Sequence, residues 1–262
     1  MIGKEKFDEI HRLFHQRAFV HPDPLEFLYD YPDLRDREIV GLTASSLAYG
    51  RVGQILKSTS SVLERLGKTP HAFLLNTSLE RLLSIFSDFK HRFTTGEELA
   101  FMLWGARRIF QQYGSLHGCF STVFCQEDDT VWPALSRFVR LLDVRGPECR
   151  NSLLPSPDKG SACKRLNLFM RWMVRDDEID PGGWHRIPAS RLIVPLDTHM
   201  HRIGRMLHLT NRKQADMRTA IEITKAFRRI VPEDPVRYDF ALTRLGIRDD
   251  IDSESFLCGF GP

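Results

Sequence analysis

Several features are missing from this chain of 262 residues. It has no apolar run of about 18 residues or more, which argues against a transmembrane helix. It also has no Cys-x-x-Cys pair, so zinc ribbons and closely spaced iron–sulfur frameworks are disfavoured. We expect the five scattered cysteines to be reduced and mostly buried: Cys119, Cys125, Cys149, Cys163 and Cys258.

A strong charge and an apolar signal segment are missing as well. The first eight residues contain Lys4, Glu5 and Lys6 and no apolar core, which predicts a cytoplasmic protein. The net charge is only +3, so the composition permits nucleic-acid binding without requiring it. The length is compatible with one domain or with two closely packed lobes.

Period-2 alternation is missing, and the apolar residues recur at helical spacing along almost the whole chain. The run 192–194 is the best strand candidate and is too short for a sheet. The sequence therefore predicts an all-α protein. The predicted helices cover 4–16, 35–48, 52–66, 79–86, 96–113, 115–124, 131–142, 161–174, 198–207, 217–230 and 235–245. A Thr95-x-x-Glu98 capping box opens the helix at 96, and Asp234 is the expected N-cap of the last helix.

Two irregular stretches, 143–160 and 175–195, flank the predicted helix that carries Lys164. Long irregular segments inside a compact helical protein are often functional. We therefore place the working half of the molecule between residues 143 and 246.

Lys164 falls in the first turn of its predicted helix, after a turn that contains Lys159, Gly160 and Ser161. Free N–H groups at a helix start form an anion site that would suit a DNA phosphate. Arg165 adjoins the lysine, and Arg171 lies two turns further along the same face, where it could extend a basic strip along a phosphate backbone. Read without any family, the segment is equally an ordinary helix start with a solvated surface lysine.

Asp197 precedes another predicted helix and is expected to be its N-cap. A capping carboxylate is ionised and firmly aimed, so it could also stabilise an oxocarbenium-like sugar. An amine and a carboxylate placed together can cleave an N-glycosidic bond, because the amine attacks C1′ while the carboxylate steadies the cationic sugar. His199 and His201 point to different sides of a helix, so we predict no metal site here.

The segment Pro195–Ile203 (PLDTHMHRI) resembles the region around the essential aspartate of helix-hairpin-helix DNA glycosylases of the endonuclease III superfamily. Those enzymes have a valine- or leucine-Asp-Thr-His sequence with an arginine soon after it. The segment 160–165 (GSACKR) takes the place of their hairpin and catalytic lysine. The whole chain also looks like a widespread bacterial family of uncharacterised proteins.

Two departures from the common pattern narrow this resemblance. The usual Leu-Pro-Gly-x-Gly hairpin is replaced by 154–160 (LPSPDKG), and the lysine-to-aspartate spacing is longer than in endonuclease III. Both features are more similar to the archaeal 8-oxoguanine DNA glycosylases. No cysteine cluster follows Asp197, so no iron–sulfur cluster and no other cofactor is expected.

The resemblance implies a DNA glycosylase with AP lyase activity, acting as a monomer on double-stranded DNA that contains a damaged base, most simply 8-oxoguanine. It implies Lys164 as nucleophile, Asp197 as its electrostatic and proton-handling partner, and phosphate contacts from the hairpin and its surroundings. The residues implied in phosphate binding are Lys159, Gly160, Ser161, Arg165, Arg171 and Arg202. It also implies a helical lobe of residues 35–142 and a second lobe of residues 1–34 plus 143–262, separated by a cleft.

The same resemblance suggests residues for handling the flipped nucleotide. Tyr49 and Arg51 fall where such enzymes push a loop into DNA, and Asp239 falls where the archaeal enzymes read the purine edge. Phe169, Trp172 and Trp184 are candidates for stacking on the base. For each of these residues the plain alternative is a helix end, a first-turn acid or a core aromatic.

Other classes of function are open from the sequence alone. A non-catalytic DNA-binding protein and an interaction scaffold would both share this composition. A metal-dependent phosphohydrolase using Asp197, His199 and His201 is a further alternative.

Overall fold

The computed structural model describes residues 3–146, 149 and 151–247, and it confirms the all-α prediction. The helices of this part of the chain are α1 (Lys4–Phe14), α2 (Leu34–Ser46), α3 (Val52–Leu66), α4 (Pro70–Leu75), α5 (Leu79–Ile85), α6 (Gly96–Tyr113), α7 (Leu116–Val123), α8 (Trp132–Leu142), α9 (Lys164–Val174), α10 (Thr198–Met206), α11 (Met217–Ile230) and α12 (Asp239–Ile247). Short 3₁₀ segments lie at Arg17–Phe19, Pro24–Asp30, Pro157–Lys159 and Ala189–Arg191.

Helix ends lie where the local capping chemistry puts them. The Thr95 hydroxyl and the Glu98 carboxylate form the expected capping box at the start of α6, and Gly114 ends that helix in the left-handed conformation. Asp197 caps α10 and Asp216 caps α11 through their side chains. These contacts are local, and a single sequence can reveal them.

Two predicted helix starts are wrong. The helix predicted from residue 161 begins at Lys164, because Ser161 pairs with Asp216 in an antiparallel bridge and Cys163 has a φ of 47°. The helix predicted from residue 235 begins at Asp239, after turns over 235–238. The Asp234 carboxylate does not cap a helix there, since it is bound by Arg175.

Two elements escaped prediction. Helix α4 is short and begins with Pro70 at its first position. An antiparallel pair, β1 (Lys90–His91) and β2 (Thr94–Thr95), forms a hairpin with Lys90 opposite Thr95 and His91 opposite Thr94. Strands of two residues are too short to show alternation, so no sequence pattern could indicate them.

Helix α2 lies at the centre of the molecule and packs against α9. Gly41 makes this approach possible, because a Cβ there would lie 3.2 Å from the Met173 sulfur and 3.3 Å from the Phe169 ring. The helix is buried from Ile39 to Ser46, which explains why its hydrophobic residues follow no single stripe.

The two ends of the described chain pack together. The Phe7 ring in α1 stacks on Tyr238, with ring centres 5.2 Å apart, and the Tyr238 hydroxyl bonds to Asp8. Helix α12 contacts both α1 and α10. The division into lobes 35–142 and 1–34 plus 143–262 stays a prediction.

Cysteine burial follows the expectation only in part. Cys119 and Cys163 are buried, whereas Cys125 and Cys149 are exposed, and Cys258 lies outside the described residues. Within the described residues, no helix combines the length and the apolarity that crossing a membrane requires.

The buried carboxylate of Glu38 joins α2 to α7. It accepts hydrogen bonds of 2.8 Å from the backbone N–H groups of Leu116 and His117 and from the Trp184 indole N–H. Burial raises the pKa of Glu38 to about 7, against the opposing effect of these three donors. One side chain therefore accepts hydrogen bonds from two backbone amides that have no partner within their own helix and from a buried indole.

We expect Glu38→Ala to lower the free energy of unfolding by about 3 kcal/mol or more, because it leaves three buried donors without a partner. The exposed Glu64 provides the control, since Glu64→Ala should change stability by less than about 0.5 kcal/mol. Urea unfolding followed by circular dichroism measures both. Equal stability of the two variants would contradict the assigned role of Glu38.

Candidate active site

The structure brings Lys164 and Asp197 together. The Lys164 ammonium nitrogen lies 3.2 Å from Asp197 Oδ2, and the two side chains are 35% and 17% exposed. Lys164 is the first residue of α9, and Asp197 immediately precedes α10. Two helix starts from separate parts of the chain therefore place an amine beside a carboxylate at a partly accessible surface.

The two oxygens of Asp197 have different tasks. Oδ1 accepts the backbone N–H of Met200 at 2.8 Å, and Oδ2 faces Lys164. The hydrogen bond from Met200 fixes the direction of the carboxylate. Capping and pairing therefore coexist in one side chain.

Lys164 and Asp197 lie at the wall of a cavity of about 320 Å³. Its other lining residues are Pro22, Asp23, Pro24, Ala48, Gly50, Val52, Ile55, Leu168, Arg171, Pro195, His199, Asp239, Phe240, Thr243 and Arg244. One wall follows a single face of α9 through Lys164, Leu168 and Arg171. That face contributes two cations and one apolar side chain, and the acids in the lining, Asp23, Asp197 and Asp239, come from other segments.

The inner end of the cavity carries a buried ion-pair network. Arg171 pairs with Asp239, and its Nε lies 3.2 Å from Asp180 Oδ1. Arg175, one turn further along α9, binds Asp180, Asp177 and Asp234. The prediction that Arg171 contacts a DNA phosphate is wrong, because its guanidinium is buried and held by carboxylates.

Asp239 keeps one oxygen free inside this network. Its Oδ2 is bound by Arg171, whereas its Oδ1 is buried without a hydrogen-bond partner. Burial raises the pKa of Asp239 to about 6, and the Arg171 guanidinium opposes that shift. The first residue of α12 therefore offers an unused acceptor at the cavity wall.

Arg244 offers the complementary group. Its guanidinium pairs with Asp23 and lies over the Phe240 ring, with the central carbon 4.8 Å from the ring centre. Its Nε–H is buried without a partner. An unused acceptor and an unused donor therefore belong to residues that line the same cavity.

The approach to α9 forms a second, shallower depression of about 350 Å³, and Lys164 lies at the boundary between the two. Gly160 is held by a hydrogen bond of 3.1 Å from Met217 N–H to its carbonyl. Lys159, Gly160 and Ser161 are exposed. Residues 159–161, which the resemblance places in the helix-hairpin-helix segment, are therefore grouped on one accessible edge beside Lys164.

The other predicted phosphate-binding residues are Arg202 and Arg165, and both donate hydrogen bonds to backbone carbonyls. Arg202 is exposed and donates to the Gly246 carbonyl at 3.2 Å. The Arg165 guanidinium donates to the carbonyls of Ser46 and Ser152 at 2.7 and 2.6 Å. These donors join α9 to the end of α2 and to the loop at 152, and the phosphate role of Arg165 stays a prediction.

The predicted stacking aromatics lie in the core. Phe169, Trp172 and Trp184 have at most 1% of their surface exposed, and none lines the cavity. Trp184 packs edge-on against Phe169, with ring centres 5.2 Å apart. These residues cannot stack on a flipped base because neighbouring side chains already cover them.

Phe240 is the aromatic that the sequence reasoning missed. It lines the cavity directly after Asp239, so the position of Asp239 was the available signal. Asp23, Pro24 and Arg244 were missed as well, because they reach the cavity from the 3₁₀ segment near the start of the chain and from the far side of α12.

The two residues predicted to enter DNA have different surroundings. Arg51 is exposed at the start of α3. Tyr49 is half-buried, its hydroxyl is bonded to the His91 carbonyl and to Thr94, and Phe93 stacks on its ring. The Tyr49 ring thus supports the neighbouring Phe93 ring, and insertion of Tyr49 into DNA stays a prediction.

His199 and His201 diverge, as their spacing predicts. His199 lines the cavity, whereas His201 Nε2 lies 2.9 Å from the Arg212 carbonyl oxygen. Among the described residues, no group of three or more His, Cys, Asp or Glu side chains could hold a metal ion. The geometry of this part of the chain gives the phosphohydrolase hypothesis no support.

The fold and site define an all-helical protein with a lysine–aspartate pair at the wall of a cavity of about 320 Å³. A family model described as a protein of unknown function (DUF2400) matches residues 23–248, and the chain belongs to that family. No curated protein matches the chain, and no solved structure matches it.

Proposed function

We propose that this protein is a bifunctional DNA glycosylase and AP lyase that removes 8-oxoguanine from double-stranded DNA. It would act as a monomer on the nucleoid, in the bacterial cytoplasm. The observation that carries the proposal is the 3.2 Å pair of Lys164 and Asp197 at the wall of the cavity. An amine and a carboxylate in contact beside a cavity for one nucleoside are what displacement of a base from C1′ requires.

The chemistry begins when Lys164 loses a proton and attacks C1′ of the extruded nucleotide. The bond between C1′ and the base breaks, and the base leaves with the electron pair and takes up a proton that the lysine nitrogen releases after its attack. The Asp197 carboxylate stabilises the positive charge that develops on the sugar. The C1′–O4′ bond then opens to give a Schiff base on Lys164, and O4′ takes up the proton that Lys164 lost at the outset. Loss of a C2′ proton expels the 3′ phosphate and cleaves the strand.

The unused groups of the cavity favour a base with an N–H next to a carbonyl. Asp239 Oδ1 can accept from such an N–H, and Arg244 Nε can donate to the carbonyl oxygen. Guanine and 8-oxoguanine present both groups at N1 and O6, whereas adenine lacks the N1 proton. Phe240 supplies an apolar surface beside them. This complementarity supports the purine chosen from the archaeal resemblance.

Accessible groups for phosphate contacts remain. Lys159, Gly160 and Ser161 are exposed on the edge beside Lys164, and Arg202 is exposed on α10; all four could meet the DNA backbone. Extrusion of the nucleotide costs a few kcal/mol of unstacking, which is smallest at damaged or mismatched positions. Contacts on this edge would offset part of that cost.

The proposal predicts a covalent adduct through Lys164. Wild-type protein mixed with a duplex containing 8-oxoguanine opposite cytosine and treated with borohydride should give a trapped protein–DNA species on a denaturing gel. Lys164→Gln should abolish the adduct and strand cleavage, because the amide cannot form a Schiff base. Lys68→Gln removes an exposed lysine that lines neither depression, and it should keep the adduct.

The trapping experiment also separates the alternatives. Absence of a wild-type adduct across a panel of base lesions and a preformed abasic site would end the Schiff-base proposal. A non-catalytic DNA-binding protein would show salt-dependent affinity that Lys164→Gln changes, with no cleavage in either protein.

We expect Asp197→Asn to slow base excision while Schiff-base formation at an abasic site is retained. The asparagine oxygen can still accept from Met200 N–H, so the fold should be retained while the negative charge is lost. We expect base excision to fall by about 10² to 10³, the range seen when a transition-state stabilising group is removed. Trapping on a preformed abasic site should persist, because no base leaves there. Equal loss of both activities would contradict this role.

Base excision should depend on the ionisation of Asp239. Its pKa is raised to about 6, so the carboxylate is protonated and stops accepting from an N–H as the pH falls through that value. Single-turnover excision of 8-oxoguanine should therefore decline below about pH 6, while trapping on an abasic site declines less. Asp239→Asn should excise slowly at every pH. Identical pH profiles for both substrates would contradict the assignment.

A further inference from the structure

The tip of the β1–β2 hairpin carries a strongly exposed aromatic ring. Phe93 is 64% exposed, against 41% for Val52, 38% for Leu141 and 37% for Leu13, the other exposed large hydrophobic residues in the described part of the chain. Exposure of a phenyl ring forgoes most of the free energy that its burial would contribute to folding. An aromatic ring that is held in this exposed position therefore indicates a binding surface for a partner molecule.

The support below Phe93 is firmly fixed. The Tyr49 ring stacks on Phe93, with ring centres 5.0 Å apart and planes 28° apart. The Tyr49 hydroxyl lies 2.9 Å from the His91 carbonyl oxygen and 2.6 Å from Thr94 Oγ1, so Tyr49 holds both strands of the hairpin. The Arg165 guanidinium lies 4.9 Å from the Tyr49 ring centre. A ring fixed in this way loses little conformational entropy when it binds.

The hairpin tip adjoins the mouth of the cavity. A Cβ on Gly50 would lie 3.0 Å from the Arg92 side chain, and Gly50 itself lines the cavity. Through Tyr49, the tip also rests near Arg165, which follows Lys164 in α9. A nucleotide held in the cavity would thus have its former neighbours close to Phe93.

The positive charge near the hairpin tip favours a negatively charged partner. Arg92 precedes Phe93 in the chain, and its side chain lies against Gly50, which Arg51 follows. Both arginines are exposed, and neither has an ion-pair partner among residues 3–146, 149 and 151–247. A flat apolar ring next to an uncompensated cation is complementary to base faces bordered by phosphates.

We propose that Phe93 inserts into the base stack of duplex DNA and fills the space that the extruded nucleotide vacates. This inference rests on the proposed function, since it supposes that a nucleotide occupies the cavity. Phe93 is a positioning residue: it touches the neighbouring bases and holds the extruded state open, while Lys164 and Asp197 act on the sugar.

The test measures extrusion directly and without turnover. A duplex with 2-aminopurine next to 8-oxoguanine is mixed with the Lys164→Gln protein, and the fluorescence of the probe reports its unstacking. We expect an increase that Phe93→Ala reduces at least threefold and that Phe93→Trp largely restores. Leu141→Ala, which removes an exposed side chain from α8, should leave the increase unchanged.

A second substrate separates the two proposals. In a single strand with a preformed abasic site there is no stack to fill, so Phe93→Ala in the otherwise wild-type protein should form as much trapped adduct as wild type. An unchanged fluorescence increase in the Phe93→Ala protein overturns the inference, and so does equal weakening of binding to duplexes with and without a lesion. Absence of any wild-type adduct overturns the proposed function instead, and the fluorescence result then still decides whether Phe93 enters DNA.

Discussion

The buried guanidinium of Arg171 is the group on which the arrangement of the site depends. A charge removed from water must be compensated nearby, and Arg171 is compensated by Asp180 and Asp239. Those carboxylates come from the loop after α9 and from the start of α12, so the requirement fixes both segments against α9. The same requirement places Asp239 in the cavity with one oxygen committed and one oxygen free.

Arg171 lies toward the end of one face of α9, and the Lys164 amine lies at the beginning of that face. Lys164 begins α9 and meets Asp197, whose other oxygen is used in capping α10. Helix starts favour anionic groups, so the carboxylate is stabilised by its own helix while it attracts the lysine. One wall of the cavity is thus a single face of α9, with the Lys164–Asp197 pair at its beginning and Arg171, bound to Asp239 of α12, toward its end.

Helix α2 connects segments from the first half of the chain to the cavity. Gly41 lets α2 approach α9 closely, and Glu38 ties α2 to α7 and to Trp184. The end of α2 then leads into Tyr49 and Gly50, which support the exposed Phe93 hairpin beside the cavity. Packing at the centre of the protein therefore determines where the surface that would meet DNA lies.

The sequence by itself determined the all-α class, most helix bounds, the capping of α6 and α10, and, through a family resemblance, the pairing of Lys164 with Asp197. These follow from contacts within a few residues or from a short motif. Only the tertiary structure decided that Arg165 and Arg171 are engaged inside the protein and that Phe169, Trp172 and Trp184 belong to the core. It also decided that Phe240 and Arg244 line the cavity and that Phe93 is exposed. The physical reason is that burial of a charge or a ring depends on partners far along the chain: Arg171 and Asp239 are 68 residues apart in sequence, and no local pattern records that they meet.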